Sequence, residues 1–245
     1  MARSPDVTYP PLDTLKRVDE NLWVVDSGPI RAMGLSLPIR MTVIRLASGG
    51  MWLHSPTRFS EALQREIEAI GPIQHLVAPN VVHWSFLKDW QAHCAGATTW
   101  AAPKLRERAQ VKAAGVRLDR DITEEAPAEW AEEIAQAIVP GGFGFREVAF
   151  FHRPSGTLLL TDLIEDLETD KLPFGTKLFA LLTGANRGTS PVQIRLAVWR
   201  RRAQAAEVVR RIIGWEPERV IFAHGRPFER DGTRRLSRAM AWLTG

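Results

Sequence analysis

The sequence contains a single cysteine, Cys94, among its 245 residues. One thiol excludes an intramolecular disulfide, and it also excludes a zinc site built on several thiolates. No stretch approaches the roughly 18 consecutive apolar residues that a membrane-spanning helix needs. Residues 1–23 lack the apolar segment of a secretory signal, so we expect a cytoplasmic protein. Peripheral attachment to a membrane stays open.

Motifs for nucleotide binding and serine hydrolysis are also missing. The segment "GGFG" (141–144) is similar to part of a phosphate-binding loop, but no Lys-Ser/Thr follows it. No Gly-x-Ser-x-Gly elbow is present. Five arginines lie along one predicted helix without interleaved aromatic residues that could stack on bases, so we interpret them as a solvated helix face and expect no nucleic-acid partner. They are Arg200, Arg201, Arg202, Arg210 and Arg211.

The remaining composition is that of a globular protein, with 45% hydrophobic and 24% charged residues and a formal net charge of +4. Such a chain is long enough to bury a sizeable core. Residues 1–20 are rich in proline and charge and are predicted to form an arm on the surface. Residues 21–245 are predicted to form a single domain.

Hydrophobic periodicity and turn residues predict two successive sets of strands and helices. The predicted strands are 22–28, 39–55 as a hairpin, 73–79, 98–103, 134–140, 146–152, 157–162 and 217–225. The predicted helices are 60–72, 83–94, 104–111, 191–213 and 233–243. We expect a surface loop over 116–130 and an excursion over 163–190 that borders the site as a lid. Two sheets packed on each other, with helices outside, would satisfy this order.

Polar residues that end apolar strands are the candidates for function, because strand ends open into loops where such groups converge. Four ends carry them: "WLHS" has His54, "VAPNVVH" has Asn80 and His83, "LLLTD" has Asp162, and "IFAHG" has His224. A fifth junction, "IVPGGFG", has no side chain of the kind that binds metals.

The order of these junctions resembles the metallo-β-lactamase superfamily, from about residue 18 to the C-terminus. The segments "APNVVH", "EVAFFHRPSGTLLLTDL" and "AHG" resemble an uncharacterised branch of it, a domain of unknown function. The resemblance implies an α/β fold, a four-layer αββα sandwich in which each half of the chain supplies one sheet.

The superfamily's metal ligands carry over unevenly. Asp162 matches the bridging aspartate, and His224 matches the last histidine ligand. Gly142 stands where a Pro-Gly-His turn would place a histidine, so that ligand is missing. The His-x-His-x-Asp-His motif is reduced to His83, which matches the aspartate position or one register to either side. His54 replaces the aspartate that usually closes the preceding strand. A standard two-zinc site cannot be built from these residues.

A site for one zinc or iron ion remains conceivable, with His83, Asp162 and His224 as ligands and His54 as a fourth. Imidazole nitrogen and carboxylate oxygen suit both metals. Water activated by such an ion could attack an ester, amide or phosphoester. The resemblance therefore implies a metal-dependent hydrolase of an unknown small-molecule substrate.

Two other functions stay open at this stage. One is a non-catalytic binding protein of the same fold that has lost its metal site. The other is an oxidoreductase that uses iron in the same site. Each candidate residue could also be structural, because a histidine at a strand end often serves only as a hydrogen-bonded turn residue. Metal content distinguishes the first alternative from the metal-dependent functions.

Overall fold

The computed structural model describes residues 7–32 and 34–245. Within these residues the strands form two sheets, one from each half of the chain. The first sheet has the order β1-β2-β3-β4-β5-β6-β7. Its strands are β1 (Lys16–Asp19), β2 (Leu22–Ala32), β3 (Leu35–Arg45), β4 (Met51–His54), β5 (Ile73–Ala78), β6 (Thr98–Ala101) and β7 (Arg120–Asp121). Strands β1 to β4 are antiparallel, and β4 to β7 are parallel.

The second sheet has the order β11-β10-β9-β8 and comes entirely from the second half of the chain. Its strands are β8 (Ile134–Pro140), β9 (Arg146–His152), β10 (Thr157–Leu159) and β11 (Arg219–Ile221). The β8, β9 and β10 strands form an antiparallel meander, and β11 pairs parallel with β10. Parallel pairing needs a long crossover connection, which here contains three helices.

Seven α-helices accompany the two sheets in the described residues. They are α1 (Glu61–Glu68), α2 (Leu87–His93), α3 (Ala109–Ala114), α4 (Phe174–Thr183), α5 (Val192–Trp199), α6 (Arg202–Ile213) and α7 (Gly232–Thr244). Short 3₁₀ turns span Leu105–Glu107 and Thr169–Lys171. No helix in the described part of the chain is both long enough and apolar enough to cross a membrane.

Three apolar clusters define four layers. Between the sheets, Trp52 and Trp100 of the first pack with Phe150 of the second. A second cluster joins the outer face of the first sheet to α1 and α2, and a third joins the outer face of the second sheet to α6 and α7. The order is therefore helices, sheet, sheet, helices, which confirms the expected αββα sandwich. Each half of the chain supplies one sheet, also as expected.

Local sequence explains how α1 begins and why the chain turns after it. The Ser60 hydroxyl accepts a hydrogen bond from the Leu63 N–H, which caps the first turn, and Leu63 and Ile67 are buried against the sheet. After the helix, a Cβ on Gly71 would lie 2.2 Å from the Gly49 carbonyl oxygen, so only glycine fits there. The prediction of a helix starting near residue 60 is confirmed.

The prediction of one helix over 191–213 is wrong, because α5 ends at Trp199 and α6 begins at Arg202. The carbonyl oxygen of Ala197 accepts a hydrogen bond from the Gly142 N–H at 2.6 Å. The Arg201 N–H, which a continuous helix would direct to Ala197, bonds to Val198 instead. The "GGFG" loop therefore occupies the Ala197 carbonyl oxygen, which a continuous helix would use, at the point where the two helices separate.

Other element boundaries also differ from the predictions. The helix predicted over 83–94 starts only at Leu87, and the one over 104–111 divides into a 3₁₀ turn and α3. The strands predicted over 157–162 and 217–225 are shorter, because their last residues form the turns of the candidate site. At the N-terminus, β1 falls inside the predicted arm and pairs with β2. Residues 1–6 lie outside the described residues. The boundary between arm and domain at residue 20 stays a prediction.

Candidate functional site

Asp162 lies in the turn that follows β10, and Glu147 of β9 holds that turn in place. The Glu147 carboxylate accepts hydrogen bonds from the backbone N–H groups of Thr161, Asp162 and Leu163 at 2.8, 2.8 and 3.0 Å. Glu147 is fully buried. Burial, helped by the nearby charge of Asp162, raises the pKa of Glu147 to about 7 despite these hydrogen bonds. The turn that carries Asp162 is therefore fixed by a buried carboxyl group.

Asn80, at the end of β5, links His83 to Asp162. Its Oδ1 accepts hydrogen bonds from the N–H groups of Val82 and His83, both at 2.8 Å. Its Nδ2 donates to Asp162 Oδ2 at 2.6 Å and to the Thr161 hydroxyl at 2.9 Å. Asn80 uses both ends of its amide, so it sets the positions of two candidate ligands together.

His83 is oriented from its other side by Ser55, the residue that follows β4. The Ser55 Oγ lies 2.7 Å from His83 Nδ1. Ser55 has a φ of 55°, in the left-handed region that a serine seldom adopts. Ser55 thus combines an unusual backbone conformation with a hydroxyl group that contacts the imidazole ring of His83.

His224 follows the short strand β11, and its tautomer is set by the backbone. Its Nδ1 lies 2.7 Å from the Pro38 carbonyl oxygen, which can only accept, so Nδ1 carries a proton. The next residue, Gly225, has a φ of 97°, and a Cβ there would lie 2.2 Å from the Asp166 carbonyl oxygen. The "AHG" turn therefore requires glycine and directs the Nε2 of His224 toward Asp162.

His83, Asp162 and His224 form one compact group. The two Nε2 atoms lie 3.1 Å (His83) and 3.3 Å (His224) from the same oxygen, Asp162 Oδ1. One ligand atom from each residue lies within 4.8 Å of the others. The structure thus brings together three of the four residues that the sequence suggested.

Electrostatics in this group follow from burial and close contact. Burial alone would raise the pKa of Asp162, but the two histidines outweigh it and hold the pKa well below its usual range. Burial would lower the pKa of His224, yet the hydrogen bond to Asp162 and its charge raise it to about 9. Asp162 therefore stays ionised at neutral pH.

The group suits a single metal ion by its donor chemistry. Because Nδ1 of His224 is protonated against Pro38, its Nε2 is the atom that can coordinate. Two imidazole nitrogens and one carboxylate oxygen match the preferences of zinc and iron, and three protein ligands leave a coordination position open. The Pro38 carbonyl, Ser55 and Asn80 provide the supporting hydrogen bonds that orient such ligands in metalloproteins.

His54 lies outside this group. Its ring stacks on Trp52 at 5.7 Å and meets the edge of Phe150 at 5.5 Å, in the core between the sheets. Burial, with a contribution from His83, lowers the pKa of His54 to about 3, so it is neutral. Its Nε2 is buried and has no hydrogen-bond partner among the described residues. The role of His54 as a fourth ligand therefore stays a prediction.

The three-residue group opens into a cavity of about 810 Å³. Its walls are mainly apolar and include Leu37, Phe86 and Ile194. The segment 163–190, predicted to border the site, contributes Glu165 and Phe179 to the lining. A larger cavity of about 1000 Å³, lined by Tyr9 and several arginines, contains none of the candidate ligands.

Sequence reasoning missed Ser55, Glu147 and Glu165 as parts of the site. Glu165 is 7% exposed, and burial raises its pKa to about 7. For Glu147 a signal existed, because a single acidic residue inside the apolar run "REVAFF" is costly to bury unless it is hydrogen-bonded. Ser55 has no comparable signal, since its role depends on a backbone turn.

A family model described as "Domain of unknown function (DUF4336)" matches residues 19–188, which is more than half of the chain. The chain belongs to this family. The part that matches DUF4336 contains His83 and Asp162 and ends before His224. A search of curated proteins gave no match.

Solved structures of metallo-β-lactamases share the fold of this DUF4336 chain. DIM-1 metallo-β-lactamase exposed to ceftazidime is 14% identical with a TM-score of 0.63, and the match covers 97% of this chain and 98% of that one. A metallo-β-lactamase from Hirschia baltica is 14% identical (TM-score 0.60, 94% and 96% covered). FIM-1 from Pseudomonas aeruginosa in its mono-zinc form is 14% identical (TM-score 0.62, 94% of each chain covered). At this identity the likeness shows the fold alone.

Proposed function

We propose that this DUF4336 protein is a metal-dependent hydrolase with one metal ion, zinc or iron, held by His83, Asp162 and His224. The observation that carries the proposal is the convergence of three ligand atoms within 4.8 Å at one wall of a cavity. Each ligand is also oriented by a separate hydrogen bond to the surrounding chain. A mono-zinc form is named for one solved structure of the same fold, FIM-1.

The ion would supply Lewis acidity, which polarises a carbonyl or phosphoryl group and activates water at neutral pH. The protein's own contribution is positional. Asp162 stays ionised, and the proton on Nδ1 of His224 keeps its Nε2 directed at the group. The apolar walls exclude water from a substrate held against the three residues.

The cavity limits the class of substrate. At about 810 Å³ it accommodates a small molecule rather than a folded partner. Most of its lining is apolar, and its polar lining includes His83, Asp162, His224 and Glu165 together with Arg31 and Arg58. We therefore propose an ester, amide or phosphoester with an apolar portion, whose hydrolysable group faces the three residues.

One observation favours the alternative, a binding protein without metal. Asp162 already accepts from Asn80 and contacts both imidazoles, so the group is fully hydrogen-bonded by protein atoms alone. In that state an ionised Asp162 would pair with a protonated His224, which offsets the cost of burying either charge alone. In that alternative the cavity binds a ligand, and the three residues serve as its polar wall.

Hydrolysis assays with a panel of substrates distinguish the metal-dependent hydrolase from the metal-free binding protein. The purified protein would be tested on ester, amide and phosphoester chromogens as isolated, after chelator treatment, and after zinc or iron is returned. Asp162→Asn is the test variant, and His93→Gln, at an exposed position on α2, is the matched control. The proposal expects activity that is lost with the chelator, restored by metal and absent in Asp162→Asn. Chelator-resistant activity, or none with any class, contradicts it.

A further inference from the structure

The helices beside the cavity carry a large uncovered apolar surface. On α4, Phe174, Leu178, Leu181 and Leu182 are exposed, with Phe174 83% and Leu182 74% accessible. Their spacing places them on one face of the helix. The opposite side of α4 packs on the protein, where Thr176 and Ala180 are buried.

The next helix, α5, repeats this arrangement. Val192, Leu196 and Trp199 follow the i, i+4, i+7 pattern of a single face, and all three are exposed. Val198 is buried on the other side. The two helices together carry seven of the nine exposed large apolar side chains of the described residues. A concentration of this kind marks an interaction surface.

Both helices border the cavity. Phe179 of α4 and Ile194 of α5 line it together with His83 and Asp162. An eighth exposed apolar residue, Val82, lines the cavity as well. The uncovered apolar surface and the candidate site therefore meet at the same opening.

The charged side chains of α4, α5 and residues 200–202 all have one sign. From Lys171 to Ala206 the sequence contains two lysines and five arginines and no aspartate or glutamate. The three consecutive arginines after α5 form no ion pair with a carboxylate among the described residues; Arg200 instead lies over the Phe143 ring at 4.7 Å, and Arg201 bonds to Gln204. This segment is complementary to a surface that is both apolar and anionic.

A neighbouring cavity strengthens the charge argument. The "GGFG" loop and residues 200–204 enclose about 650 Å³, lined by Lys104, Arg146 and the three arginines and by no carboxylate. Phe143, the ninth exposed apolar residue, lies at its rim and is 80% accessible. Cationic side chains next to exposed aromatic and aliphatic ones suit the headgroup region of a bilayer.

We propose that the surface formed by α4, α5 and residues 200–202 docks this protein on an anionic lipid bilayer, with the mouth of the cavity at the membrane. A second copy of the chain fits less well. In a symmetric dimer the same patch would face itself, and the five cations of α4, α5 and residues 200–202 would meet the same five of the other copy, with no carboxylate in these elements. The proposal does not depend on whether the cavity holds a metal ion.

Flotation with lipid vesicles tests the proposal on the full chain. The wild type is expected to float with phosphatidylcholine vesicles that contain phosphatidylglycerol. It should bind vesicles of pure phosphatidylcholine much more weakly, and high salt should weaken its binding to the anionic vesicles. The double variant Leu182→Gln with Leu196→Gln removes two exposed apolar side chains that would contact the bilayer. It should lower the partition coefficient of the protein onto anionic vesicles about ten-fold or more. The variant Lys177→Glu with Arg200→Glu should lower it by a similar factor at low salt.

Lys112→Glu is the matched control, because Lys112 is exposed on α3, in the helix layer of the first sheet. It should leave vesicle binding within about two-fold of the wild type. Thermal unfolding of every variant checks that the fold is retained. The proposal is overturned if the wild type ignores anionic vesicles, or if Lys112→Glu weakens binding as much as the surface variants. It is also overturned if the wild type is a dimer that the double leucine variant dissociates, without any vesicle binding.

Discussion

Asn80 Nδ2 donates to Asp162 Oδ2 at 2.6 Å, while Asn80 Oδ1 accepts the N–H of His83. One amide therefore connects the end of a strand in the first sheet to the end of a strand in the second. The two sheets contribute their candidate ligands through this connection, so the geometry of the group depends on a residue that is not itself a ligand.

Asn80→Asp should weaken metal binding by about 10- to 100-fold. The substitution keeps the acceptor for His83 but replaces the donor by a second carboxylate beside Asp162, so like charges repel. The measurement is zinc affinity by competition with a chromophoric chelator. Asn21→Asp, in the turn between β1 and β2, is the control and should bind zinc as the wild type does. Unchanged affinity in Asn80→Asp would show that Asp162 is positioned without Asn80.

Ser55→Ala and Ser55→Gly should both lower zinc affinity, by about ten-fold, because each removes the hydroxyl that lies 2.7 Å from His83 Nδ1. Their effects on stability should differ. Glycine accommodates the positive φ of this position without strain, whereas alanine does not. Chelator competition and urea unfolding measure the two properties separately. Equal stability of the two variants, or undiminished zinc affinity in both, would count against this role for Ser55.

Glu147→Ala should cost about 3 kcal/mol or more in the free energy of unfolding, because it leaves three buried backbone N–H groups without acceptors. Glu133→Ala is the matched control. Glu133 also accepts from a backbone N–H, that of Ala47, but in a solvent-exposed contact, so its loss should cost less than about 1 kcal/mol. Urea denaturation of both variants gives the comparison, and similar costs would refute the assigned role of Glu147.

His75 should contribute to acid sensitivity. Burial lowers the pKa of His75 to about 4, and its Nδ1 accepts from the Trp100 indole. Between the unfolded value of about 6.5 and pH 4, the unfolded chain binds the proton and the folded one does not, so stability falls as pH falls. His75→Gln should reduce this slope by up to about 1.4 kcal/mol per pH unit. Unfolding of the wild type and of His75→Gln at pH 7 and pH 5 tests it, and an equal loss of stability in both proteins would contradict the assignment.

The αββα architecture was predictable from the resemblance to the metallo-β-lactamase superfamily together with the order of strands and helices. The short apolar runs in "IAQAIVP" and "REVAFFH" gave β8 and β9 with their observed bounds. The candidate ligands were predictable for the same reason, since polar residues that end buried strands converge at the rim of a sandwich. His83, Asp162 and His224 meet there.

What the sequence did not reveal depends on contacts between distant segments. The break between α5 and α6 arises because Gly142 bonds to Ala197, 55 positions away, and no local pattern encodes that. His54 ends its strand as the other candidates do, yet its side chain points into the core between the sheets and stacks on Trp52. The alternation of side chains along a strand decides this direction. The role of His54 as a fourth ligand stays a prediction.

The metal content of the purified protein is the most direct test of the proposed site. After equilibration with zinc and removal of excess by gel filtration, elemental analysis should find about one equivalent in the wild type. His83→Gln, Asp162→Asn and His224→Gln should each lose most of it while remaining folded by circular dichroism, and His93→Gln should retain it. His54→Gln reports whether a fourth ligand takes part. A wild type that retains no zinc or iron, or ligand variants that retain as much as the wild type, would contradict the account.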